Sequence, residues 1–423
     1  MKTNYLYALM IVLLIAGSIG GYYVGTMQKK PEPERKTGLT GEITIPVIHS
    51  TESVWEPTVV DMLNEEINDY LHNINANFTI NFIYDNAGGS ATKFLEMVQS
   101  YYAAGNKVIV GPTWSSHITQ AKSYVDNNNI LLFSWSSTSP ALGIPNDNIY
   151  RLCINDTLRS VMVADLLHNY DFKAYVSYYV GDAWGRGMME PIVTFCDEYE
   201  IEEYYSIEFP PDTDFIGETQ ILNDKIAEAI EKYGKEKVAV LAGAIAPNEI
   251  GLMQQASMYP LLSQVPWIIM GGCVESAYLE EYKEFAAKVG LVGCVFVPSK
   301  SSLYYEFAEK YASRTGKDKN ALPATIFELY DIGWIITNCL LQVEKYDVDA
   351  IKKVLPDVCK HYIGANGHAL LNSAGDLMFS DFIVSAVVDP TTPHWERVAT
   401  FSGATKTFDW TVDKNTLIPH GLP

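Results

Sequence analysis

From residue 42 onward the chain alternates short apolar runs with longer stretches of helical spacing. Residues 43–48 (ITIPVI) read as a buried strand. Val59, Leu63, Ile67, Tyr70 and Leu71 then recur at helical intervals, with Glu65, Glu66 and Asp69 between them, as in an amphipathic helix. Residues 78–84 read as a strand ended by the turn formers Asp85-Asn86-Ala87-Gly88-Gly89. Phe94, Val98 and Tyr101 mark the next helix, residues 107–110 a short buried strand, Ile118, Ala121 and Val125 another helix, and residues 130–133 another strand. Strand and helix in this order predict a parallel sheet with helices on both faces.

The alternation restarts after Arg151. A helix is predicted around residues 161–167, followed by strands at 173–180, 204–209, 238–242, 267–270 and 291–297 with helices between them. Helices follow near 303–313, 324–341 and 348–358, and the chain closes on strand-like pieces at 381–388 and 395–401. Two series of this length predict an α/β protein of two doubly wound parallel-sheet lobes.

The N-terminus breaks the pattern. Residues 5–25 carry no charge and are long enough to span a bilayer core of about 30 Å as a helix. Residues 1–28 are therefore expected to be a transmembrane anchor or a cleaved signal, with the main domain extracytoplasmic. Residues 29–41, with Lys29, Lys30, Pro31, Pro33, Arg35 and Lys36, read as a polar, proline-stiffened stalk. The 423 residues hold 51 Asp and Glu against 30 Lys and Arg, a formal net charge of −21. Such a chain repels phosphate backbones, so nucleic acid is not an expected partner.

Signatures of chemistry are missing. The chain has no phosphate-binding glycine loop, no HExxH and no GxSxG, so no enzyme, cofactor or metal is expected. Six cysteines (Cys153, Cys196, Cys273, Cys294, Cys339, Cys359) show no metal-ligand spacing. They read as small buried hydrophobes, with a Cys273–Cys294 disulfide also compatible with the spacing. Two polar loops do stand out, each at the carboxyl end of a predicted strand, where open α/β sheets bind ligands. One is Gly111-Pro112-Thr113-Trp114-Ser115-Ser116-His117, which opens a helix whose free backbone N–H groups suit a carboxylate. The other is Ser134-Trp135-Ser136-Ser137-Thr138-Ser139-Pro140, with more hydroxyls than a turn requires.

The stretches VIVGPTWSSH (108–117), ILLFSWSSTSPAL (130–142), NIYRLCIND (148–156), YYVGDAWGRG (178–187), PPDTDF (210–215) and FELYDIGWIITNCL (327–340) occur together and in order. In these the chain resembles the type I periplasmic solute-binding proteins, the branched-chain amino-acid and amide binders of ABC importers. The resemblance implies two lobes joined by a three-strand hinge that close on a ligand. Lobe I would take residues 42–154 and 299–376, lobe II residues 155–298 and 377–410, leaving 411–423 as a tail. It implies that Ser115, Ser136 and Thr138 hold an amino acid's carboxylate and ammonium. It further implies that Trp55 covers the ligand from lobe I and that Trp184 closes on it from lobe II.

One departure matters. Where the family has an acid for the ligand ammonium, this chain has Cys273, with Glu275 two residues on. Either Glu275 or Asp182 supplies that charge, or the ligand is a neutral amide, urea or an organic acid. The expected function is that of a solute receptor for an ABC permease, carrying a branched-chain or other amino acid. The alternative is a ligand-sensing ectodomain of a signalling complex.

Overall fold

A computed structural model of the chain describes residues 38–413, except 246, 247, 272, 273 and 276. The apolar run 5–25, residues 29–37 of the stalk expected over 29–41, and Cys273 lie outside the described residues, and the first strand already begins at Gly41.

The first sheet is built from β1 (Gly41–His49), β2 (Phe78–Asn86), β3 (Val108–Val110), β4 (Leu131–Ser134), β5 (Ile149–Ile154) and, much later in the chain, β11 (Asp376–Leu377). Its order is β11-β5-β4-β3-β1-β2, with every neighbouring pair parallel. The short strands β3 and β4 are buried throughout, because helices cover both faces and leave no solvent side to alternate with.

Alternate residues divide between two cores. Val47, Val110, Leu131, Phe133 and Trp135 pack against α1 (Glu56–Asn73) and three helices from the far end of the chain. Those three are α9 (Ser302–Thr315), α10 (Ala324–Val343) and α11 (Val348–His361). Ile48, Ile109 and Leu132 pack on the opposite face against α2 (Ala91–Ala103) and α3 (Ser115–Asn127). Helix α10 is long and apolar enough to cross a membrane, yet it is mostly buried in this core, which accounts for its composition.

The second sheet holds β6 (Ala174–Val180), β7 (Glu202–Phe209), β8 (Val238–Gly243), β9 (Trp267–Met270), β10 (Val292–Val297), β12 (Asp381–Val388), β13 (His394–Ser402) and β14 (Thr407–Trp410). Its order is β14-β13-β12-β10-β9-β8-β6-β7. Around it lie α4 (Thr157–Asn169), α5 (Ala183–Glu198), α6 (Ile216–Tyr233), α7 (Asn248–Ser257) and α8 (Lys283–Val289). Strands β6 to β10 are parallel, whereas β12, β13 and β14 run antiparallel. The expectation of purely parallel sheets is corrected here. The links after β12 and β13 are too short for a crossover helix, so only hairpins fit.

Both sheets share the order 2-1-3-4-5 in their parallel parts, which places a topological switch point between β1 and β3 and between β6 and β8. The chain passes between the lobes three times, after β5, between β10 and α9, and between β11 and β12.

Candidate ligand-binding site

The loops after β1 and β3 meet at the first switch point. Ser50 Oγ accepts from the backbone N–H of Thr113 at 3.0 Å and of Trp114 at 2.8 Å, which ties the two strand ends together. Helix α3 begins there with Trp114 as its N-cap residue, which offers no side-chain cap. The His117 N–H donates to Trp114 O at 3.2 Å, and the amides of Ser115 and Ser116 have no side-chain cap.

The serine-rich loop after β4 folds over this helix start. Ser137 Oγ donates to Ser115 Oγ at 2.9 Å, and the Ser139 N–H donates to the same oxygen at 3.3 Å. Ser115 Oγ thus accepts twice, and its own hydrogen is left to donate. Thr138 has the opposite state. Its hydroxyl donates to Asp156 Oδ2 at 2.6 Å, so it presents only lone pairs. Ser136 is half-buried, and no hydrogen bond among the described residues uses its hydroxyl.

Asp156 is the meeting point of the lobes. It stands just after β5, its backbone N–H donating to Thr138 O at 2.7 Å. Trp184 Nε1, from the first turn of α5, donates to Asp156 Oδ2 at 2.9 Å. Arg159 Nη1 lies 3.2 Å from Asp156 Oδ1. Thr138 and Trp184, predicted to face one another across a cleft, are thus joined through one buried carboxylate. Ser139 Oγ adds a second link, donating to Ala183 O at 2.8 Å. Gly187 on the facing helix is required at this spot, because a Cβ there would collide with Ser139 Oγ.

Trp55 stands apart from this network in its described contacts. Its ring stacks on Tyr311 at a centroid distance of 6.2 Å, and Lys317 Nζ lies 3.9 Å from its centroid. These contacts come from α9 and the loop that follows it.

On lobe II the two acids proposed for a ligand ammonium are engaged. Asp182 accepts from the N–H groups of Trp184 and Gly185, both at 2.9 Å, and so caps α5. Burial is the largest influence on its carboxyl and pushes the pKa up despite those bonds. Glu275 accepts a two-pronged bond from Arg397 at 2.8 and 2.7 Å, and one from Ser385 at 2.6 Å. Burial works to raise its pKa, but these partners outweigh it and hold the carboxyl below its usual range. A Cβ at Gly271 would collide with Ala244 O and touch the Trp184 ring, so the end of β9 comes close to Trp184. Cys273 itself is outside the described residues. Cys294 is a free, buried thiol, as are Cys153, Cys196, Cys339 and Cys359.

Sequence reasoning did not single out Asp156, Ser137 or Arg151. Ser137 belongs to the hydroxyl run already noticed, and the other two lie in the NIYRLCIND stretch. A charge inside a strand of otherwise buried residues was the signal available for Arg151. No group of three or more His, Cys, Asp and Glu side chains suited to a metal occurs among the described residues.

The model of the receptor family ligand binding region matches residues 58–385. An uncharacterized protein of Methanocaldococcus jannaschii is 24% identical over 377 residues, 84% of this chain and 87% of the relative. The ABC transporter substrate-binding protein of Desulfitobacterium hafniense in complex with Leu aligns at TM-score 0.64 and 17% identity, over 84% of this chain and 100% of that one. A solute-binding protein of an ABC transporter from R. palustris in complex with benzoate gives a TM-score of 0.64 at 11% identity, over 84% of this chain and 96% of that one. At these identities the structural likeness is one of fold. The chain belongs to the receptor family defined by this ligand-binding region, with the fold of the type I periplasmic binding proteins.

Proposed function

We propose that this chain is the solute receptor of an ABC importer, a binding protein rather than an enzyme, held outside the cytoplasm by its N-terminal apolar segment. In this reading it captures a small polar solute between its lobes and presents it to a membrane permease. The observation that carries the ligand class is the paired state of Ser115 and Thr138. Ser115, after β3, offers a hydrogen, and Thr138, in the loop after β4 whose neighbours Ser137 and Ser139 bond to Ser115, offers a lone pair. A ligand with an acceptor oxygen beside an N–H donor satisfies both.

A primary amide meets this demand without a charge. An α-amino acid meets it too, but its ammonium needs a carboxylate, because desolvating a cation costs several kcal/mol. Asp182 and Glu275 are both engaged elsewhere. The undescribed residues Ala246, Pro247, Gly272, Cys273 and Ser276 include no acid. The reading therefore moves from an amino acid to a small neutral amide. The amino-acid reading keeps one observation in its favour, the Asp156 carboxylate 2.6 Å behind Thr138.

Calorimetry with acetamide, urea, leucine, alanine and benzoate tests the assignment. Acetamide or urea should bind, and Thr138→Val and Ser115→Ala should each weaken that binding about tenfold. Binding of leucine or alanine with no response to either amide would restore the amino-acid reading. Silence from every compound would remove the support for both. Protease added to intact cells should digest the domain, and full protection would refute the placement outside the cytoplasm.

A further inference from the structure

We infer that Arg151 is the positioning residue of this binding site, holding the serine loop in the shape that sets the hydrogen-bond state of Ser115 and Thr138. The inference rests on the solute-binding reading above for its purpose, and on the geometry alone for its mechanics. Arg151 lies on β5 and is fully buried. Its Nη1 donates to the carbonyl oxygens of Ser137 at 2.9 Å and Ser139 at 2.6 Å, the residues on either side of Thr138. The same two residues are fastened from the other side by Ser115 Oγ. The Thr138 segment is therefore clamped between the guanidinium and the start of α3.

The guanidinium is itself fixed. Its Nε and Nη2 form a fork on Asp376, at 2.6 Å to Oδ1 and 2.7 Å to Oδ2. Asp376 begins β11, directly ahead of the last passage between the lobes, and its Oδ2 also accepts from Asn155 Nδ2 at 3.2 Å. Asn155 stands in the first passage, immediately before Asp156. One buried ion pair thus joins two of the three interlobe passages to the loop that carries Thr138.

Fold stability alone does not require this arrangement, because buried ion pairs are commonly replaced by apolar side chains with little loss. Two loop carbonyls converging on one nitrogen, however, need a planar donor whose other nitrogens are held elsewhere. Lysine offers a single ammonium and cannot serve the fork and both carbonyls from that position.

The test compares the full chain with Arg151→Lys and Asp376→Asn by amide hydrogen exchange and by calorimetry with acetamide and leucine. In Arg151→Lys the amides of Ser137, Thr138 and Ser139 should exchange about tenfold faster or more, while those of β3 and β6 keep their protection. Affinity for whichever of the two compounds the unmodified chain binds should fall about tenfold or more. Asp376→Asn keeps both carbonyl bonds but leaves one acceptor oxygen for the fork, so its loss of affinity and of loop protection should be clearly smaller than in Arg151→Lys, with β3 and β6 protected in both. Unchanged loop exchange in Arg151→Lys overturns the inference, as does equal loss in both variants. If neither compound binds the unmodified chain, the ligand reading falls and the exchange measurement alone decides the positioning role. Should Arg151→Lys unfold, Arg151→Met/Asp376→Leu, which removes the fork without stranding a charge, takes its place. There faster loop exchange supports the inference and unchanged exchange overturns it.

Discussion

Two buried carboxylates of the first lobe, Asp376 and Asp331, are held in opposite ways. Asp376 faces the guanidinium fork of Arg151, which gives each of its oxygens a charged N–H donor. Asp331, on α10, has only neutral donors. Its Oδ1 accepts from Ala365 N–H at 2.7 Å and Tyr362 OH at 3.1 Å, and its Oδ2 from Asn366 N–H at 2.8 Å. One turn earlier on the same helix, Glu328 is buried with its Oε2 unpartnered. The difference separates two uses of a buried acid. A charge matched by a charge fixes geometry. An acid without a cation is driven toward its protonated form and makes the fold sensitive to pH. Burial pushes Asp331 up to about 7 despite its three hydrogen bonds, and it pushes Glu328 well up, with Asp331 adding to the effect.

The comparison is tested most severely by Asp376→Ala. Leaving Arg151 buried and unpaired should cost about 3–5 kcal/mol in urea unfolding. A loss no larger than that of a surface substitution would remove the distinction.

Next in size is the pH dependence set by Asp331. The folded value lies above the usual 3.8, so the folded state holds the proton more tightly than the unfolded chain. Its contribution is therefore fully present below about pH 4, is lost as pH rises through 7, and levels off above that. The shift corresponds to about 4 kcal/mol at most. Asp331→Asn should flatten the fall in the unfolding midpoint between about pH 5 and 7.5, even if it lowers stability as a whole. An unchanged slope would assign the dependence to other groups.

Glu328→Leu should stabilise the protein by about 1–3 kcal/mol at neutral pH, because it removes a buried oxygen that has no partner. Destabilisation would show that the carboxyl is satisfied in solution.

The smallest effect is expected at Glu275, which receives the same two-pronged arginine geometry but at a half-exposed site. Glu275→Gln should change stability by less than about 1 kcal/mol, since exposed pairs are screened. Acetamide binding should stay unchanged in that variant. A large loss of binding would return Glu275 to the ligand.

The contrast also explains what the sequence made legible. Strands such as β1 and β6 and helices such as α1 and α10 carry apolar patterns long enough to read. Strand β5 was reached only through a family resemblance, because Arg151 interrupts its apolar run, and β11 has two residues and no pattern at all. Both are held by Arg151 and Asp376, charged residues that composition would place in water. At the site, the loops with Ser115, Ser136 and Thr138 were visible because hydroxyl-rich turns at strand ends are local features. The sharing of Asp156 by Thr138 and Trp184 was not visible. It joins residues far apart in the chain, and no local spacing encodes it.

The close approach of Ser139 to Gly187 fixes where the lobes can pivot. Ser139 Oγ bonds to Ala183 O, and the facing helix has no side-chain atoms at Gly187 to act as a spacer. Sliding one lobe over the other would drive that hydroxyl into backbone, whereas rotation about the contact leaves it in place. The contact acts as a fulcrum beside the interlobe passages, and the rims of the two sheets act as the arms of a lever. Any residue added at Gly187 would shift that fulcrum outward, so a Gly187→Ala chain would hold its lobes wedged apart.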